Sequence, residues 1–540
     1  MSMKSKLAFI LQKRIIILFL LIISLAGFLR IYKLGQVPPS LTWDEAAVGY
    51  NAWTIANYGR DEYGRSFPIY FKSFGEDKQP VHIYLTAIIV KLFGPSEFTI
   101  RLPAALFGIF NIALIFFLAQ LIFRNNLIAL TSSFFLAISP QNIHFSRFNH
   151  EANFALFFFM LGLIFFLKFI KEDRLFLSLA LLSLLFSMIC YHAAEIIVPP
   201  IIILLIIIYK KSFKIKSLSF FISLFLLFCF IVIVLFQPRL FGIARLDQTA
   251  FSRGDIEKTQ IFKLTGSYTL GRVNRVVSNY WSNFNPQYLF VKGDNNPRLS
   301  SQGAGEFYKI DALFLLIGVF SLIKKRSKEG IFLLGWAFIA PFGDSIAGEA
   351  PHAARAYFMM GSWNLIAALG FYKVVSYPKR YIFKWFNGVF VIAILLCSLI
   401  IYLNYYFNEF PKRYAIDWQY GMKQVVEFVT SHNEYDQVYM TSIRSQPYIF
   451  YLYYLKTPLY EYLNTVVYNN NREKSSNNVS YFGKYSFEGW NAFESKGDKG
   501  VLYVLSPSEY DGLKYRSSFD IKKVVYFPNN TVAFFIVALN

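Results

Sequence analysis

Eleven apolar runs, each near the length of a membrane-crossing helix, constrain this chain more than any other feature. A helix needs about 20 apolar residues to cross the hydrocarbon, and such runs lie near 15–32, 97–123, 127–143, 151–170, 175–191, 195–209, 217–237, 311–323, 329–343, 355–375 and 383–403. Of the 540 residues 55% are hydrophobic and only 16% charged, against roughly 25% charged in a soluble domain. Disordered, fibrous and ordinary globular classes are excluded on those grounds, and a polytopic α-helical membrane protein is expected. The net charge of +21, from 54 Lys+Arg and 33 Asp+Glu, would suit nucleic acid. Its placement between apolar runs points instead to membrane lipids, so no nucleic-acid partner is expected.

Alternate connections carry the cations. These are Lys4, Lys6, Lys13 and Arg14; Arg124; Lys210, Lys211, Lys214 and Lys216; Lys324, Lys325, Arg326 and Lys328; and Lys379, Arg380 and Lys384. The positive-inside rule turns these to the cytoplasm. The long connections, about 33–96, 238–310 and 344–354 and the tail from about 404, then face outward across a cell membrane, with the N-terminus inside. The organisation expected is a transmembrane domain over 1–404, with a first outer loop at 33–96 and a long outer loop at 238–310, followed by an extracytoplasmic α/β domain over 405–540. In that tail Asp417 to Ser431 and Gln446 to Leu455 read as helices, Tyr435 to Thr441 and Val501 to Leu505 as strands. Val524 to Phe527 and Thr531 to Ala538, joined by Pro528-Asn529-Asn530, read as a hairpin.

The first outer loop holds the most chemistry. In Leu41-Thr42-Trp43-Asp44-Glu45-Ala46 two adjacent carboxylates open a helix expected to end near Gly59. Thr42-x-x-Glu45 matches a capping box, which accounts for Glu45 and leaves Asp44 without a structural task. A second cluster, Gly75-Glu76-Asp77-Lys78-Gln79-Pro80, leads into an amphipathic run ending at Phe93-Gly94, and Arg101-Leu102-Pro103-Ala104-Ala105-Leu106-Phe107-Gly108 opens the second span.

The Asp-Glu pair, the Lys-x-Pro segment and the Arg-Leu-Pro-x-x-Leu-x-Gly entry, in this order, resemble the type C membrane glycosyltransferases. The resemblance is to the dolichyl-phosphate-mannose–protein mannosyltransferase-like group and the related lipid A aminoarabinose transferases. It implies an inverting enzyme that moves a monosaccharide from a polyprenyl-phosphate donor to an acceptor outside the membrane, with Asp44 matching the catalytic aspartate, beside Glu45, and Lys78 the phosphate-facing lysine. Two departures stand out: Ala47 and Val48 occupy positions where the lipid A enzymes tend to carry an arginine, and Gln79 replaces the first proline of Lys-Pro-Pro. They argue against assuming aminoarabinose.

Breaking the anomeric bond of a polyprenyl phosphosugar leaves a second negative charge on the phosphate, so nearby cations stabilise the leaving group. The acceptor hydroxyl needs a carboxylate to take its proton. Besides Lys78, the candidate outer-face cations are Arg147, Arg298, His352 and Arg355, because ionisable groups at span ends are costly unless paired or solvated, which makes them site candidates. Glu151 is a candidate partner for Arg147, and Asp344 with Glu349 for the basic pair His352 and Arg355. Asp44 and Glu45 also suit a hard divalent cation, but two ligands do not define a metal site and the histidines show no ligand spacing. In the long outer loop, the aromatics and amides of Tyr280 to Phe290 suit either a sugar-stacking lid or an interfacial belt. The alternative reading, a transporter or flippase of a lipid-linked saccharide, lacks the midplane polar residues and related halves such proteins show.

Overall fold

The computed structural model describes residues 3–172, 174–213, 218–237, 251–378, 380–469 and 477–540. Lys214, Lys216, Lys379 and the first part of the long outer loop, 238–250, lie outside the described residues, as do the side chains of Lys4, Lys6 and Lys384. Two compact units emerge, and they do not follow chain order. One comprises residues 1–32 and 104–405, the other 33–103 and 406–540.

The first unit is helical. Among the described residues of the whole chain, helices stand at all eleven expected positions, and six are long and apolar enough to cross a membrane: Gln12–Ile31, Glu97–Phe123, Glu151–Lys171, His192–Ser212, Leu218–Phe236 and Trp385–Arg413. The chain is a multi-pass membrane protein. Two runs differ from their expected bounds. The run at 127–143 breaks in two, because Ser139 ends Asn126–Ile138 and its hydroxyl caps a new helix, Pro140–Phe145, whose proline stands at a position that needs no amide donor. The run at 355–375 becomes helical only at Met359. Buried polar ties fix the helix packing: the Arg30 guanidinium donates to the Ala137 carbonyl (3.1 Å) and to Asn142 Oδ1 (2.5 Å). Gly108, the last residue of the Arg-Leu-Pro motif, has no space for a side chain, since a Cβ there would lie 2.1 Å from Ser146 Oγ.

The second unit joins the first outer loop to the tail in one core. Strands β1 (Phe71–Ser73) and β2 (Glu76–Lys78) form a hairpin in the loop. The tail contributes β3 (Gln437–Met440), β4 (Val467–Tyr468), β5 (Val479–Phe482), β6 (Tyr485–Ser486), β7 (Val501–Leu505), β8 (Phe519–Tyr526) and β9 (Val532–Leu539), in the spatial order β4-β5-β6-β3-β7-β9-β8. β3 runs parallel to β6 and β7, and β8 and β9 form the expected antiparallel hairpin. The helix expected from Asp417 begins only at Met422, because Gly421 at φ 105° interrupts it. Leu41, Ala46, Ala47 and Tyr50 of the loop share one buried cluster with Tyr448, Ile449, Tyr451 and Leu452 of the tail helix Pro447–Leu455. Gly49 permits that approach, as a Cβ there would stand 2.8 Å from the Tyr453 ring.

Candidate active site

The site in the second unit starts at the helix Trp43–Tyr58. Its capping box is complete, with Thr42 Oγ1 accepting from the Glu45 amide (3.2 Å) and Glu45 Oε2 accepting from the Thr42 amide (3.3 Å). The Trp43 amide donates to Gln419 Oε1 of the tail (2.6 Å), so a residue from the other end of the chain helps hold this helix start. Gly59 in the left-handed region (φ 63°) closes the helix where expected.

Adjacent in sequence, Asp44 and Glu45 have opposite surroundings. Glu45 is buried and meets Arg101 in a fork, with Nε–Oε1 at 2.9 Å and Nη2–Oε2 at 3.1 Å. Arg101 also donates to the carbonyls of Leu34 (3.1 Å), Pro38 (2.9 Å) and Ser40 (2.5 Å). One guanidinium therefore organises the segment that delivers Asp44, which is what the arginine of the Arg-Leu-Pro motif does here. Sequence reasoning did not single out Arg101 as a partner of Glu45; their 56-residue separation is bridged only by the fold.

Asp44 is half exposed, at 47%, and forms an ion pair with Lys78, which is only 9% exposed. β2 ends at Lys78, and pairing of Phe71 with Lys78 in the hairpin register fixes the lysine stem, while its ammonium also lies 5.6 Å from the Phe74 ring centroid. The structure thus brings together the aspartate and the lysine, 34 residues apart, as an accessible carboxylate on a sequestered cation. Asp44 and Glu45 each face a cation, an arrangement that does not fit a divalent ion between them. Among the described residues no group of three His, Cys, Asp or Glu converges on a metal position.

Deeper in the same unit, Glu62 is buried and accepts from Asn51 Nδ2 (2.8 Å) and Tyr448 Oη (3.3 Å). Burial pushes its carboxyl up to about 7 against the lowering effect of the Asn51 hydrogen bond.

The other sequence-derived cations lie in the first unit. Arg147 is buried, and its guanidinium donates to the carbonyls of Leu29 (2.9 Å) and Tyr32 (2.7 Å) at the end of the first helix. Glu151 lies 3.7 Å from His150 Nδ1. The Arg298 carbonyl contacts His144 Nε2 at 2.9 Å. Asp344 holds the loop of the basic pair: it accepts from the His352 amide (3.0 Å) and from Asn283 Nδ2 (2.9 Å), and lies 3.9 Å from the Arg355 guanidinium. Burial pushes Asp344 up to about 7, opposed by the Asn283 hydrogen bond and by Arg355. Glu349 contributes its carbonyl to Arg355 (3.0 Å). In the long outer loop, Tyr280, Trp281 and Phe284 cluster with Phe338, Phe342 and Trp363.

Comparison with known proteins agrees with this architecture. A family model of dolichyl-phosphate-mannose-protein mannosyltransferase matches residues 77–236, beginning at the Lys78 hairpin. The structure of ArnT from Cupriavidus metallidurans aligns over 97% of this chain and 97% of its own, with a TM-score of 0.58 at 13% identity. This chain has the type C membrane glycosyltransferase fold. The form of ArnT bound to undecaprenyl phosphate gives the same coverage at a TM-score of 0.56 and 13% identity. The oligosaccharyltransferase AglB from Archaeoglobus fulgidus, in complex with an inhibitory peptide and a dolichol-phosphate, matches at a TM-score of 0.50 and 15% identity, over 82% of this chain and 64% of its own. No curated protein matches the sequence. The Asp-Glu, Lys-x-Pro and Arg-Leu-Pro motifs by themselves point to this fold.

Proposed function

We propose that this protein is an inverting glycosyltransferase that moves a monosaccharide from a polyprenyl-phosphate carrier to an acceptor outside the membrane. The observation that carries the reading is the Asp44–Lys78 pair, an accessible carboxylate beside a buried ammonium, in a chain with a type C fold. Asp44 takes the proton of the acceptor hydroxyl as its oxygen bonds to the anomeric carbon. Lys78 meets the phosphate on which the second negative charge develops as the anomeric bond breaks. One base and one cation suffice for a single displacement with inversion. Glu45 and Arg101 are assigned a positioning role, and Arg147 a place in the scaffold beneath the first helix. Arg298, His352 and Arg355 are retained as candidate contacts to the donor phosphate, each testable alone. The N-terminus is assigned to the cytoplasm and the tail to the outer side of the inner or plasma membrane.

The kinship of fold with ArnT and AglB, whose structures hold undecaprenyl phosphate and a dolichol-phosphate, supports a lipid-phosphate donor. The test is reconstitution of the full chain in vesicles with radiolabelled polyprenyl-phosphate sugars, read by release of free polyprenyl phosphate and by transfer of label. A protein that carries the donor across the vesicle wall intact and releases no sugar would establish the transporter reading instead. Mass spectrometry of envelope glycans and glycoproteins from a strain lacking the protein, beside its parent, would identify the acceptor as protein, glycolipid or wall polymer.

A further inference from the structure

Four helices of the first unit, Glu151–Lys171, Phe176–Cys190, His192–Tyr209 and Leu218–Phe236, leave an apolar cleft at the ends that carry Lys171, Phe176, Tyr209 and Leu218. The cleft arises because Leu218–Phe236 is fastened to Phe176–Cys190 along a narrow hydroxyl seam. Ser178 Oγ donates to the Ser219 carbonyl (3.1 Å) and lies 3.4 Å from Ser223 Oγ, and only Ser219, Ser223 and Phe230 of the outer helix are buried. Beside that seam Leu184 and Leu205 form a buried floor, and the walls are open, with Leu224 47% and Ile206 45% exposed. Ser223 is the one hydroxyl among the residues lining the cleft. A cavity this apolar offers water and sugars no partners, and hydrocarbon is what it can hold.

The mouth has the opposite character. Lys171, Arg174, Lys210 and Lys211 stand exposed at these same helix ends, and Glu172 there pairs with Lys168 at 3.7 Å. Tyr209, whose ring lies 5.9 Å from that of the cleft-lining Phe166, has a buried hydroxyl with no hydrogen-bond partner among the described residues. A hydrocarbon slot capped by cations matches an amphiphile with a negative head.

We propose that the cleft binds an acyl chain of one anionic glycerophospholipid, whose phosphate is held at the Lys210–Lys211 end. Under the sidedness of the transferase reading, on which the choice of leaflet rests, this lipid comes from the cytoplasmic leaflet and is separate from the outer-face donor. The charge at the mouth selects an anionic head over a zwitterionic one, because each lysine near the headgroups adds to the attraction.

The test uses the full chain in nanodiscs with either phosphatidylglycerol or phosphatidylcholine bearing a photoactivatable acyl chain, and maps labelled peptides by mass spectrometry. Phosphatidylglycerol should label the segments 176–190 and 218–236 about tenfold more than phosphatidylcholine. Replacing both Lys210→Gln and Lys211→Gln should bring that labelling down to the phosphatidylcholine level, and Leu224→Trp, which fills the cleft from an exposed position, should abolish it. The lysine variant alters only exposed side chains, so its result stands even if the tryptophan disturbs packing. Equal labelling by the two phospholipids would mean ordinary surrounding lipid and would overturn the proposal. So would displacement of the label by a polyprenyl phosphate, which would give the cleft to the donor's own tail.

Discussion

Arg101 closes on both carboxylate oxygens of Glu45, at 2.9 and 3.1 Å, and both side chains are buried. A buried pair of this kind punishes the loss of one partner more than the loss of both, because a lone charge is left without solvent. Glu45→Ala and Arg101→Ala should each cost about 3–5 kcal/mol of stability, and the double change Glu45→Leu with Arg101→Met should cost less than the sum of the two, since no lone charge remains although the carbonyls of Leu34, Pro38 and Ser40 still lose their donor. Thermal unfolding of the purified protein checks this. Single variants with an unchanged Tm would mean that the fork does not hold the first outer loop.

Asp44→Asn should lower transfer by a factor on the order of 10² or more while leaving donor binding intact, since the amide keeps the side chain's shape and releases Lys78 from its ion pair. Turnover and equilibrium binding of labelled donor, measured on the same preparation, separate the two effects. Retained transfer removes Asp44 from the role of base.

Lys78→Gln should act on the other term, weakening donor binding by roughly 10- to 100-fold and raising KM more than it lowers kcat. Lys78→Arg should recover part of the loss, as the charge returns with altered geometry. Unchanged donor affinity in Lys78→Gln would require another group to meet the phosphate.

Glu62 should make the stability of the second unit depend on pH. Its folded carboxyl titrates at about 7, above an unfolded value of roughly 4.3, so between these values the folded chain binds the extra proton. The stabilising contribution is therefore complete at acid pH and is lost as pH rises through 7, by at most about 4 kcal/mol. Glu62→Gln should remove that slope. A wild-type stability profile between about pH 5 and 7 that overlays that of the variant would show that Glu62 ionises freely in the fold.

Much of this molecule was readable because membrane spans depend on local composition. The apolar runs, the caps at Gly59 and Gly94 and the β8–β9 hairpin all follow from residues within one segment. The breaks were harder: Ser139-Pro140 and Gly421 interrupt runs whose average hydropathy or amphipathicity continues through them. Least legible were contacts between distant segments. Nothing near Glu45 identifies Arg101 as its partner, and nothing near Trp43 announces that Gln419 will accept from its amide. Lys78 stands out in sequence through a motif that resembles a known pattern, whereas its seclusion against Phe74 follows only from the hairpin geometry.

The shared core of residues 33–103 and 406–540 has a consequence for biogenesis. During synthesis the early segment leaves the ribosome long before the strands and helix against which Ala46, Ala47 and Tyr50 pack. It must wait, incompletely ordered, while the intervening spans insert. A chain halted ahead of Tyr448 would expose the faces of Ala46, Ala47 and Tyr50 that the tail helix otherwise covers, leaving the Asp44 helix without that support.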